Sequence, residues 1–122
     1  MKIRVDRRGN SSIAIIESDE LLIEDVQGAL DLMATVNYNE GCSKLIIRHE
    51  NITEIFFDLS TRLAGDILQK YTNYQVKLAI IGNYEGYSSK SLKDFIYECN
   101  KGNQVFFLPN EESALDALHR VD

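Results

Sequence analysis

Three features of the sequence predict an α/β fold built on a mixed sheet of about five strands. Two β-like runs, residues 2–6 and 12–17, flank Arg8-Gly9-Asn10, which supplies the positive-φ residues of a tight turn. Continuous apolar runs within residues 44–48, 76–81 and 105–108 suit parallel strands buried on both faces. Between and after them, apolar residues recur every three to four positions, as on one face of a helix. The implied order is β-β-α-β-α-β-α-β-α, a hairpin followed by alternating β-α units. Right-handed crossovers then make the three later strands parallel.

Each helix carries its own signals. Asp25 is placed to cap a first helix, with Val26, Ala29, Leu30, Met33 and Ala34 on its inner face and Asn37 to Gly41 as its end. Gly28 within it suggests close packing. After the polar loop His49-Glu50-Asn51 and a short turn at residues 53–57, a second helix is expected from about Ser60 to Tyr71. Its inner face would carry Leu63, Ala64, Ile67, Leu68 and Tyr71, with Gly65 in close contact beside them. Ser91 and Asp94 have capping-box spacing before a third helix, whose face is Leu92, Phe95, Ile96 and Cys99. Lys101-Gly102 stops it. Glu111 and Glu112 favour the start of a last helix through its dipole, and Ala114, Leu115, Leu118 and Val121 give it an apolar face.

Composition bounds the function classes. The 122 residues fit one domain, residues 1–122, and 44% hydrophobic content can build a core without disulfides or metal. Thirteen basic against nineteen acidic residues give a formal net charge of −6. That charge repels phosphate backbones, so nucleic acid is not an expected partner. No apolar run has membrane-spanning length, and no signal-peptide core follows Met1, so neither a membrane nor secretion is expected. Cys42 and Cys99 form no metal-type pair and read as reduced thiols of a cytoplasmic protein. No cofactor is implied: Gly82, Gly86 and Gly102 make neither a phosphate loop nor a dinucleotide fingerprint.

Two strings carry a resemblance. One runs from Phe57 through Asp58-Leu59-Ser60-Thr61-Arg62 to Lys70. The other runs from Ser88 through Leu92-Lys93-Asp94-Phe95 to Glu98, followed by Asn100-Lys101-Gly102. Both resemble a bacterial family catalogued as domain of unknown function 4180, over nearly the whole chain. That resemblance implies no assigned activity. The element order is also similar to the STAS domains, the anti-sigma-factor antagonists. Those domains are phosphorylated on a serine at the start of the helix after their third strand. The resemblance places Asp58, Ser60 and Thr61 there, although the Ser-Ser-Gly core is absent and Arg62 stands near the glycine position.

Loops after the carboxyl ends of parallel strands gather on one sheet edge, where ligands usually bind. Here that edge would collect His49, Glu50 and Asn51, then Asn83 and Tyr84, then Pro109 and Asn110. His49 beside carboxylates is a candidate general base, or simply a solvated loop residue. Ser60 and Thr61 are candidate phospho-acceptors near a helix start, or an ordinary cap pair, which is the commoner use of such residues. Ser88, Ser89 and Ser91 pose the same choice, with Lys90 and Lys93 nearby to hold an anion. Tyr84 and Tyr87 would form a partner patch or cover the core edge. His119 reads as exposed, and two histidines so far apart form no metal signature.

The expectation is a non-enzymatic regulatory or protein-interaction module of STAS-like fold, with a protein partner and room for a homo-oligomer. The alternative is a small-ligand-binding or hydrolytic domain using His49, Glu50, Asn83 and Tyr84. No catalytic residue and no metal ligand is assigned. A deep polar pocket at the edge would favour the alternative, and a flat exposed surface at Ser60 would favour the first reading.

Overall fold

In a computed structural model that describes residues 1–122, β1 (Lys2–Arg8) and β2 (Ser11–Glu17) form the hairpin. Gly9 at its turn has φ +60, the left-handed conformation glycine adopts without steric penalty. α1 (Val26–Glu40), β3 (Lys44–Arg48), α2 (Leu63–Asn73), β4 (Lys77–Ile81), α3 (Lys90–Lys101), β5 (Val105–Leu108) and α4 (Glu111–Arg120) follow in the expected order. The five strands lie in the order β1-β2-β3-β4-β5. β1 is antiparallel to β2, and β2 through β5 are parallel, so the sheet is mixed.

Strand alternation sorts the core into two layers. Ala14, Ile16, Leu45, Ile47, Leu78, Ile80, Val105 and Phe107 face one side. Ala29, Leu32, Met33 and Val36 of α1, Ala64, Ile67 and Tyr71 of α2, and Leu92 of α3 cover them. Ile13, Ile15, Ile46, Ala79 and Phe106 face the other side, where Ala114 and Leu118 of α4 cover them. Three consecutive helices therefore share one face, and the last helix crosses to the opposite one. No helix is long and apolar enough to cross a membrane.

Several local expectations are corrected. α1 turns Leu32 and Val36 inward and leaves Ala34 exposed, because its buried stripe is rotated from the one the sequence suggested. α2 begins at Leu63, three residues later than expected. Residues Leu59–Thr61 form a separate 3₁₀ turn, and Arg62 at φ 68 breaks the chain direction before the helix. Gly65 is exposed, and a Cβ there would meet nothing within 4 Å, so no close contact explains it. Gly28 does lie close to its surroundings: a Cβ would stand 3.3 Å from the Asp25 carboxylate and 3.4 Å from the Leu22 carbonyl.

The caps follow the same logic of satisfying free backbone N–H groups. Asp25 accepts from Gly28 N, as expected, and Asn110 accepts from Ser113 N. The α3 cap is Ser89, which accepts from Leu92 N, rather than Ser91. Cys99 is only partly buried against the core, and Cys42 is buried; both are free thiols.

Candidate functional site

β4 and β5 are adjacent and parallel, yet the chain leaves them in opposite directions. After β4 it passes to α3 on one face, and after β5 it passes to α4 on the other. Such a divergence opens a crevice outside the carboxyl ends of the strands. An open groove of about 920 Å³ lies there. Gly82, Asn83 and Tyr84 bring the β4 side of it, and Leu108 and Pro109 the β5 side. Arg48 and Glu50 enter from the end of β3, and Lys93 from α3.

Of the residues singled out from sequence, Glu50, Asn83, Tyr84, Lys93 and Pro109 line this groove. Arg48 is the functional candidate that sequence reading missed. Its place as the last residue of a buried strand, where a charged side chain can emerge only at the sheet edge, was the available signal. Arg48 Nη1 is 3.8 Å from Glu50 Oε1, a long and exposed contact worth little. Lys93 makes no ion pair. Two cations, Arg48 and Lys93, thus share the groove with two carboxylates, Glu50 and Glu85, and are held by weak or no ion pairs.

His49 stands behind the groove wall rather than in it. Its side chain is 25% exposed and is packed edge-on against Phe57, Tyr84 and Tyr87, with ring centroids 5.3, 6.0 and 6.2 Å away. Tyr87 Oη donates to the Glu54 carboxylate at 2.9–3.0 Å, so its lone pair accepts from His49 Nε2 at 3.1 Å. Nε2 also lies 3.4 Å from Glu54 Oε1. Tyr84 donates to the Ile80 carbonyl at 2.7 Å. Burial raises the pKa of both tyrosines; the neighbouring Tyr87 and Glu50 charges add to it at Tyr84, and the Glu54 hydrogen bond at Tyr87. Both phenols are therefore neutral hydrogen-bond donors at physiological pH, each already engaged by the protein.

Asn51 leaves the candidate set as a structural residue. It is fully buried, and its amide donates to the Ser18 and Glu20 carbonyls, each at 2.8 Å. Its backbone carbonyl, not its side-chain oxygen, accepts from Leu22 N and Ile23 N. It pins the connection after β2 to the connection after β3.

Asp58, Ser60 and Thr61 lie outside the groove. Asp58 Oδ1 accepts from Ser60 N at 3.1 Å and from Ser60 Oγ at 2.6 Å. Thr61 Oγ1 donates to the Ile55 and Asp58 carbonyls at 3.0 and 2.8 Å and accepts from Leu63 N at 3.3 Å. These residues close the 3₁₀ turn and start α2 after the Arg62 break. They do not sit on the first turn of the α-helix, so the helix dipole argument for a phosphate does not apply to them.

His119, expected to be exposed, is half-buried at the other end of the sheet, with its side chain 5% exposed and its ring hydrogen-bonded to Ser11 and Asp6.

No curated protein and no solved structure matches the chain. One family model does, the Domain of unknown function (DUF4180), over residues 8–118. That match runs from the last residue of β1 to Leu118 in α4, taking in β2 to β5 and α1 to α3 entire, and the chain belongs to this family.

Proposed function

We propose that the domain is a small-ligand-binding module, and that its ligand occupies the groove between the carboxyl ends of β4 and β5. The observation that carries this reading is the divergence of the two chains leaving those strands, with the groove lying in the crevice so formed. Arg48 and Lys93, neither committed to a strong internal ion pair, recommend a ligand whose anionic group meets them and whose polar remainder lies against Glu50 and Glu85. Asn83 and the apolar Ile81, Phe107 and Leu108 give the groove the mixed lining of a polar small-molecule site. The free Cys42 and Cys99 thiols agree with a cytoplasmic setting.

A thermal-shift screen of inorganic phosphate and small carboxylates tests the reading. A bound ligand at a hundred times its Kd stabilises the folded state by about 2.7 kcal/mol. The stabilisation should vanish in the Arg48→Ala/Lys93→Ala double variant. Equal stabilisation of that variant, or none of the wild type, removes the reading.

A second reading, the regulatory interaction module of STAS-like fold, rests on the exposed 3₁₀ segment. Ile55 is 54% exposed there, beside Ser60, Thr61 and Arg62. The hairpin followed by β-α units, with this segment between β3 and α2, supports STAS-like kinship. Capture of one partner by the wild type, lost on Ile55→Asp, would favour it over the ligand groove.

A further inference from the structure

Asp6, Ser11, Lys44 and His119 meet at the sheet edge opposite the groove. Ser11 opens β2, Lys44 opens β3, Asp6 lies in β1, and His119 sits in the last turn of α4. The His119 side chain is 5% exposed, and both of its ring nitrogens are engaged. Nε2 is 2.8 Å from Asp6 Oδ2, and Nδ1 is 2.7 Å from Ser11 Oγ.

An ionised Asp6 only accepts, so Nε2 carries a hydrogen. When the ring is neutral, Nδ1 is an acceptor and the Ser11 hydroxyl donates to it. Lys44 Nζ donates to Ser11 Oγ at 2.9 Å and to the Val121 carbonyl at 2.6 Å. An ammonium has three donors, so one remains for a further acceptor. Ser11 is half-buried at the wall of a polar cleft of about 430 Å³, lined also by Asn10, Ser12 and Ser43.

We propose that Ser11 is a covalent nucleophile, activated by His119 and oriented through it by Asp6, and that this cleft takes small carboxylic esters. A hydroxyl bonded to a base that a third group orients is the arrangement nucleophilic catalysis requires. Here the ring presents Nδ1 to the serine and Nε2 to the carboxylate, and the roles are unchanged by that exchange. Ser11 Oγ attacks the ester carbonyl carbon as its proton passes to His119 Nδ1. The remaining Lys44 N–H meets the developing oxyanion. The C–O bond to the leaving alcohol breaks, and His119 returns the proton to that alcohol. Water, deprotonated by His119, then attacks the acyl-serine, and the carboxylic acid leaves with Ser11 regenerated.

A dialkyl fluorophosphate probes the first step alone: Ser11 Oγ bonds to phosphorus, fluoride leaves, and the serine proton departs with it as HF. Intact-mass analysis of the full chain should show one adduct, mapped to Ser11. Ser88→Ala, exposed in the loop before α3 and outside the cleft, should keep it, and Ser11→Ala should lose it. His119→Gln should slow labelling by about a hundredfold or more. Should His119→Gln fail to fold, Asp6→Asn replaces it, with labelling slowed at least about tenfold by loss of the oriented tautomer. No adduct on folded wild type overturns the proposal, as does an equal rate in Ser11→Ala. Unchanged Ser11 labelling in the folded His119 or Asp6 variant overturns it too. The four residues would then only fasten α4 to the hairpin.

Discussion

Gly82 lies so close to His49 that a Cβ at position 82 would stand 2.7 Å from the histidine Cβ and 3.1 Å from its Cγ. The contact joins the loop after β4 to the loop after β3, and it sets the back wall of the groove. The obstacle is the root of the His49 side chain, which cannot swing aside, so the backbone must move. Gly82→Ala should therefore destabilise by about 1–3 kcal/mol, as overpacking does. Urea denaturation measures it, and an unchanged midpoint would place the two loops further apart than described.

Gly65 gives the opposite result. Nothing lies within 4 Å of a Cβ there, and its backbone is helical without positive φ. Gly65→Ala should stabilise by about 0.4–1 kcal/mol, by restricting the unfolded chain. A loss of stability in the same assay would mean that the helix is packed on that side.

Ser60 separates a cap from a switch. Its hydroxyl donates to Asp58 Oδ1 at 2.6 Å, so a new carboxylate at position 60 would face an existing one. Ser60→Ala should lose about 0.5–1.5 kcal/mol, the net value of an ordinary hydrogen bond. Ser60→Asp should be less stable than Ser60→Ala, most visibly at low salt. The reverse order would show that added charge is tolerated at this turn.

Alkaline pH should unfold the domain through its buried phenols. Burial raises the pKa of Tyr71, Tyr84 and Tyr87 from 10.0, and it pushes the Cys99 thiol up to about 11 from 9.0. Groups whose folded pKa is raised contribute stability that is whole below the unfolded value and is lost as pH rises through the folded one. Stability should therefore decline from about pH 9 upward, each added proton difference contributing up to about 1.4 kcal/mol per pH unit. Lys44, whose pKa is lowered by burial and by Lys77, opposes this slope as a single group. Tyr71 also donates to the Ala29 carbonyl at 2.7 Å. Tyr71→Phe should lower stability at pH 8 yet flatten the decline between pH 10 and 11. A wild type equally stable at pH 8 and pH 11 would contradict the burial of these groups.

The order of elements along the chain, the helix count and the Asp25 cap were legible because each depends on local pattern: apolar runs, helical spacing, and a carboxylate before a helix. The groove was legible in part for the same reason, since Glu50, Asn83, Tyr84 and Pro109 follow strand ends that can be read in the sequence. What was hidden depends on contacts distant along the chain. His119 looked exposed because its partners, Ser11 and Asp6, lie more than a hundred residues away. Gly65 and Gly82 are the same residue type, and only the neighbour across the fold distinguishes an unconstrained glycine from a required one. The break at Arg62 escaped because an arginine in left-handed conformation carries no sequence signal.

The proposed function requires that ligands enter between the ends of β4 and β5. Amide chemical-shift mapping of the labelled protein tests it most directly, with inorganic phosphate and small mono- and dicarboxylates as probes. Saturable shifts should gather at Arg48, Gly82, Asn83, Lys93 and Leu108, and be absent from the Arg48→Ala/Lys93→Ala variant. Shifts gathered instead at residues 55–62, or no saturable shift with any probe, would contradict it.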